Sequence, residues 1–357
     1  DGNATPGQRD DTVAIRSVSG TTTVHGQTGN DGILVNVDYD GGIPPLVGTD
    51  AANDAQFVRT HENNIGAVLN LHGEGGSDHY TLNLAGTGDA LINVHDNGAS
   101  ADGDDTLVIN GADSVPGVNN QPDDTFLLRR DIVALLNDSN PGDQTDFDRV
   151  ERVNYDGNIN AGLIVNGLGG DDEFFTDDNS TVTTLNGGSG ADSFQVGQVF
   201  GTARTTDADI AFGDTFDTTP VIIGVVRHPV TSEVVFNPVE DELDAGAIAA
   251  ILAAIAAADA NQPVTGIAYV SNGVSHHTEI NGGSGNDNFS IYHNKGTLEL
   301  NGEGDNDDFI VRAFVVLTGP GQGNAAVNGG SGGDTIQYAQ NAQVEIDGGD
   351  GFDTIVV

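Results

Sequence analysis

Leu185-Asn186-Gly187-Gly188-Ser189-Gly190-Ala191-Asp192-Ser193-Phe194-Gln195-Val196 contains a pattern, Gly-Gly-x-Gly-x-Asp-x followed by one large apolar residue, that returns at Gly282–Phe289, Gly329–Ile336 and Gly348–Ile355. Self-similarity of this kind marks a repeat architecture. Apolar residues alternate on both sides of the glycine-rich turn. Leu69 and Leu71, Leu298 and Leu300, or Val344 and Ile346 come before it; Phe194 and Val196, Phe309 and Val311, or Ile355 and Val357 come after it. Period-two alternation predicts short strands with one buried face, hence strand, turn, strand. One such unit cannot bury its own apolar face, whereas stacked units bury it continuously.

The expected fold class is therefore all-β, a parallel β-solenoid of β-roll or β-helix type with one inserted α-helix. The repeat Asp falls at Asp11, Asp31, Asp78, Asp105, Asp124, Asp172, Asp192, Asp287, Asp307, Asp334 and Asp353, with spacings of 20, 47, 27, 19, 48, 20, 95, 20, 27 and 19. Spacings near 20 and 27 read as one coil. Those of 47 and 48 read as their sum, with one loop that has lost its signature; Asn53-Asp54-Ala55-Gln56-Phe57-Val58 is the candidate for one of them. The spacing of 95 must contain an insertion.

The expected organisation is a repeat region over 1–197 with an irregular excursion near 113–160, an insertion over 198–275, and a resumed repeat over 276–357. In the excursion, Phe126–Leu128, Ile132–Leu136 and Val150–Tyr155 read as strands, and Arg129-Arg130 as a pair placed to meet carboxylates. In the insertion, Val221–Val226 and Val234–Phe236 read as a hairpin. Asn237, Pro238 and Glu240 form an N-terminal capping signal for a helix over 237–258, with the stripe Ile248, Ile251, Leu252, Ile255.

The position before each loop is also patterned: His25, His72, Asn166, Asn186, Asn281, Asn301, Asn328 and Asp347. Short polar side chains there suit Asx-type turns, so His25 and His72 read as turn formers. His276 and His277 read as neighbours on a strand, facing opposite ways.

The chain carries 54 acids against 11 bases, a net charge of −43, and it lacks Cys, Met and Trp. Self-repulsion on this scale opposes a compact state unless cations are held at fixed positions or salt is high. Without cysteine there is no disulfide framework and no thiolate site. The surface charge argues against nucleic acid as a partner. The longest apolar run, Ala245–Ala258, is too short to span a membrane. With Asp at the first position and no signal-type apolar core, the chain reads as a processed product or a segment of something longer. Its last residues, Asp353–Val357, stop inside an open repeat, which predicts end-to-end association with a longer chain or another copy.

The four intact loops resemble the glycine-rich nonapeptide of the RTX, or hemolysin-type, calcium-binding proteins, a family of large secreted bacterial surface and adhesin-type proteins. The resemblance implies multiple Ca2+ ions, ligated by backbone carbonyls and the Asp carboxylate. Carried over residue by residue, it points to Gly187, Gly188, Gly190 and Asp192; Gly282, Gly283, Gly285 and Asp287; Gly329, Gly330, Gly332 and Asp334; and Gly348, Gly349, Gly351 and Asp353. Weaker copies bring Asp31, Asp78, Asp105, Asp172 and Asp307, several with a substituted glycine: Gln27, Glu74, Leu168 and Glu303 stand at its second position. The family's tandem repeats place a loop on both edges of each coil. Here a loop returns only every 19 to 27 residues in the regular stretches, so calcium loops are expected along one edge.

These features imply an extracellular or cell-surface structural protein, part of a filament, surface layer or adhesin, and not an enzyme. The alternatives are a secreted polysaccharide-acting enzyme and a carbohydrate-binding module that uses the 198–275 insertion.

Overall fold

The computed structural model describes residues 10–39, 57–98, 103–113, 122–137, 147–198, 200, 217–237, 245–257, 265–271, 273–311, 325–338 and 344–356. The chain is nearly all β, with long parallel sheets, as the alternation predicts. Two sheets of twelve strands each carry the architecture. Every pairing in the first sheet is parallel, from Thr12–Ile15 against Gly32–Val35 through Thr183–Ser189 against Thr278–Ser284 to Ala325–Asn328 against Val344–Asp347. The second is parallel except at one meander, Thr125–Arg129, Ile132–Asn137 and Arg149–Tyr155. The chain alternates between the sheets, so each strand pairs with its equivalent one circuit later.

The alternating side chains meet between the sheets in a single apolar core. Its most regular feature is a column of stacked rings, Phe126, Phe174, Phe194, Phe289 and Phe309, with successive centroids 5.0, 4.9, 5.1 and 4.4 Å apart. Parallel in-register pairing puts identical side chains at the strand spacing, which is why the rings stack.

Three elements lie beside this frame. Val37–Tyr39 and Phe57–Arg59 form an antiparallel arm. Of the candidate degenerate loop at 53–58, residues 53–56 lie outside the described residues, and Phe57 begins the returning strand of the arm. The insertion holds a three-stranded sheet of Asp217–Arg227, Val234–Phe236 and Thr265–Val270, which includes the predicted hairpin. Its helix, Ala245–Ala256, packs Ile251 against Val226 and Phe236, but Leu252 is 52% exposed, so the predicted stripe is not buried as a whole. Asn237 ends the described hairpin; Pro238 and Glu240 lie outside the described residues. His276 and His277 precede the strand Thr278–Ser284 instead of lying on it, and the His276 amide donates to Asn179 Oδ1.

Candidate functional site

Loop conformation survives where loop sequence does not. At the second loop position Gly188, Gly283, Gly330 and Gly349 have φ of 113°, 112°, 101° and 84°, and the substituted Gln27, Glu74, Leu168 and Glu303 have 78°, 78°, 79° and 73°. A side chain in this left-handed region carries a strain of roughly 1–3 kcal/mol, so the weaker copies keep the same turn under strain.

The repeat aspartates are brought together by their backbone as two ladders. In the first, the N–H of Asp11 donates to Oδ1 of Asp31 (2.7 Å), Asp31 to Asp78 (2.8 Å), Asp78 to Asp105 (2.8 Å), and Asp105 to Asn160 Oδ1 (2.8 Å). In the second, Asp124 donates to Asp172 (2.8 Å), Asp172 to Asp192 (2.8 Å), Asp192 to Asp287 (2.7 Å), Asp287 to Asp307 (2.8 Å), Asp307 to Asp334 (2.9 Å) and Asp334 to Asp353 (3.1 Å). Asn160, which ends the first ladder, was not among the sequence candidates, because its loop has no glycine pattern.

The four intact loops share one edge, but the strand assignments correct the expectation for the weaker copies at Asp31, Asp78 and Asp105. Asp31, Asp78 and Asp105 each precede a strand of the first sheet, whereas Asp124, Asp172, Asp192, Asp287, Asp307, Asp334 and Asp353 each precede a strand of the second. Since strands run parallel within each sheet and the chain alternates between them, the two ladders lie on opposite edges. The reading of 47 and 48 residues as two coils is also corrected. Asp31 reaches Asp78 in one circuit, lengthened by the arm, and Asp124 reaches Asp172 in one circuit, lengthened by the meander.

The second carboxylate oxygen is what the ladders leave unresolved. Oδ2 of Asp31, Asp172, Asp192, Asp287, Asp307 and Asp334 is buried with no hydrogen-bond partner. In each loop it packs against the first glycine, where an added Cβ would fall within 3.0 Å of it at Gly26, Gly167, Gly187, Gly282, Gly302 and Gly329. At Gly26, Gly167, Gly187, Gly302 and Gly329 the same Cβ would also fall within 3.0 Å of the carbonyl oxygen of the matching glycine one circuit on. Each of these Oδ2 atoms is therefore packed tightly against loop backbone without a hydrogen-bond donor. Burial first, and the neighbouring carboxylates after it, push Asp31 up to about 6 and Asp105, Asp172, Asp192, Asp287 and Asp307 up to about 7, against the ordinary 3.8; the ladder N–H bonds oppose the shift. Asp334 is raised for the same leading reason.

These shifts set a direction for stability. A pKa raised on folding means that the folded chain holds protons to higher pH than the unfolded chain does. The stabilisation from the ladder acids is complete below about pH 4 and lost as pH rises through about 6 to 7. In a chelator, the unfolding midpoint should fall between pH 5 and pH 8. A midpoint that rises over that interval would contradict the burial of these carboxylates.

A proton or a hard cation can satisfy each orphaned Oδ2. Calcium favours oxygen donors and tolerates irregular shells, and a carboxylate oxygen beside a glycine carbonyl suits that chemistry. Among the described residues no three His, Asp or Glu side chains converge on one point, so backbone carbonyls and water would have to supply most of a shell.

Of the polar residues before the loops, Asp347 makes the local turn expected, its Oδ1 accepting the Gly349 N–H (3.1 Å), whereas the asparagines bond from strand to strand. Asn110, Asn166, Asn186, Asn281 and Asn301 each donate Nδ2–H to the Oδ1 of the preceding equivalent, beginning at Asn83, over 2.7–2.9 Å. His25 and His72 stack on one another across neighbouring strands. Arg129 pairs with Asp177 at 3.2 Å, the carboxylate contact expected of it.

No family model, curated protein or solved structure matches this chain.

Proposed function

We propose that this chain is a calcium-responsive structural module of the cell surface or extracellular medium: a β-solenoid whose two aspartate ladders bind cations and thereby stiffen it. The observation that carries the reading is the row of buried, unpartnered Oδ2 atoms, each packed against the first glycine of its loop. At neutral pH the fold confines like charges where only a proton or a cation relieves them, in a chain of net charge −43. Bound calcium would supply positive charge and coordination at the loops, with Asp31, Asp78, Asp105, Asp172, Asp192, Asp287, Asp307, Asp334 and Asp353 as its carboxylate donors and the loop glycines giving carbonyls. Affinities typical of extracellular calcium modules, about 0.1–1 mM, suit such a medium.

Calcium titration of Asp192→Asn against the parent tests the reading. Asn keeps the Oδ1 acceptor for the Asp172 amide and removes only the charge. The expected result is fewer calcium equivalents with the calcium-free fold intact or stabilised. Asp192→Ala, which also orphans that buried amide, should cost about 1–3 kcal/mol with or without calcium. Unchanged calcium uptake in Asp192→Asn would contradict the assignment.

A further inference from the structure

Arg59 ends the antiparallel arm of Val37–Tyr39 and Phe57–Arg59, and its side chain reaches the edge along which the second aspartate ladder runs. Its Nη2 donates to Leu84 O (2.6 Å) and to Gly111 O. These two carbonyls belong to consecutive circuits, since the Leu84 N–H donates to Asn110 O (2.9 Å). Gly111 has a defined place in the repeat. It follows Asn110 as Gly167 follows Asn166, and Asn110 and Asn166 are in register, so Gly111 is the first glycine of the Asp124 loop.

That loop differs from those after it. Asp124 Oδ2 packs against Gly111 as Asp172 Oδ2 packs against Gly167, each within 3.0 Å of where an added Cβ would fall. Yet Asp124 Oδ2 accepts the Ala112 N–H (2.6 Å), whereas Oδ2 of Asp172, Asp192, Asp287, Asp307 and Asp334 is buried with no partner among the described residues. The electrostatics divide at the same place. Burial raises the Asp124 pKa, and the Ala112 amide and the Arg59 charge oppose the rise. At Asp172, Asp192, Asp287 and Asp307 the leading neighbouring charges are all carboxylates and add to it. Arg59 Nε is itself buried without a hydrogen-bond partner among the described residues, and the charges of Asp113, Asp124 and Glu151 support the guanidinium against that burial. A guanidinium stays protonated throughout the working pH range, so it is a permanent positive charge at this loop.

We propose that Arg59 is the resident cation of the second ladder: it serves the Asp124 loop as calcium serves the loops from Asp172 to Asp353, so the calcium row begins at Asp172. The inference rests on the calcium reading and adds to it which loop is closed to the ion. The reason is competition for the same groups. Calcium needs carboxylate and carbonyl oxygens, and here the Gly111 carbonyl already accepts from the guanidinium and Asp124 Oδ2 from an amide. A second cation beside Arg59 would also meet like charge where little water screens it. The rung of the ladder next to the meander is thus satisfied without metal.

The test is equilibrium dialysis of the whole chain and its variants against saturating calcium, with bound metal counted by atomic emission and folding checked by circular dichroism. Asp172→Asn is expected to lose at least one calcium equivalent, whereas Asp124→Asn, which keeps an acceptor for the Ala112 amide, loses none. Arg59→Gln vacates the position and should gain one equivalent; adding Asp124→Asn to it should abolish the gain. No loss in Asp172→Asn would contradict the calcium reading and take this inference with it. A loss in Asp124→Asn equal to that in Asp172→Asn, or a folded Arg59→Gln chain with no gain, would overturn the assignment of Arg59 alone. The two asparagine variants decide the question even if Arg59→Gln does not fold.

Discussion

Gly190→Ala is expected to destabilise the fold by at least about 3 kcal/mol, although it adds one methyl group to an exposed loop. Gly190 sits at φ 137°, and an added Cβ would fall within 3.0 Å of the Gly170 carbonyl carbon and oxygen one circuit away. The obstacle is backbone held by pairing on both sides, so no rotamer change relieves it. Gly285 stands over Gly190 in the same way, at φ 126°. The second loop position differs, for Leu168 and Glu303 already occupy it. Gly20→Ala is the control, with nothing within 4 Å of the added methyl; it should lie within about 0.5 kcal/mol of the parent. Urea unfolding of the two variants measures the difference, and a Gly190→Ala loss under about 1 kcal/mol would show that the circuits are not stacked this tightly.

Glu151→Ala should be comparably damaging, at about 3–5 kcal/mol. Glu151 is fully buried at the start of Arg149–Tyr155, and its carboxylate accepts the N–H groups of Ala85 (2.9 Å) and Thr87 (3.0 Å). Burial raises its pKa, and four backbone donors, at residues 85, 86, 87 and 88, oppose that. It closes the 84–89 turn on the same edge as the second aspartate ladder, in a loop whose own aspartate, Asp89, accepts the Val150 N–H (2.9 Å) and stands outside that ladder. The buried Arg59 guanidinium adds to the cost. It donates to Leu84 O (2.6 Å) and to Gly111 O, and the charges of Asp113, Asp124 and Glu151 support its own. Truncation leaves buried amides without an acceptor and Arg59 with one counter-charge fewer. Glu151→Gln, which keeps one acceptor oxygen, should lose less. Equal losses from Ala and Gln in thermal unfolding would mean that packing, not the carboxylate, holds the turn.

Alternation around the glycine turns made the all-β class and the parallel pairing legible, since period two on both sides of a turn leaves few other ways to bury the apolar face. What linear spacing could not show was the edge. Nineteen residues separate Asp105 from Asp124 and also Asp334 from Asp353. The second interval is a full circuit through both sheets, whereas the first crosses one strand, Thr106–Asn110, and ends on the opposite edge. The difference lies in the residues between Asn110 and Asp124, and nothing in their composition reveals it. Glu151 and Arg59 were illegible for a related reason: each acts on a turn more than 20 residues away, brought near by the meander and the arm. The histidine stack, in which His95 also lies against His72, was half legible. His25 and His72 hold one repeat position, but His95 follows a strand whose loop lacks the glycine signature, so only the register joins the three.

The most direct measurement is the thermal unfolding midpoint of the whole chain at pH 8 and pH 5, in a chelator and in about 1–10 mM calcium. If the ladders hold cations, calcium raises the midpoint strongly at pH 8. The increment shrinks at pH 5, where protons already occupy the carboxylates that burial has raised to about 7. The same midpoint with and without calcium at pH 8 would contradict the account and leave the aspartates as hydrogen-bonding turn residues alone.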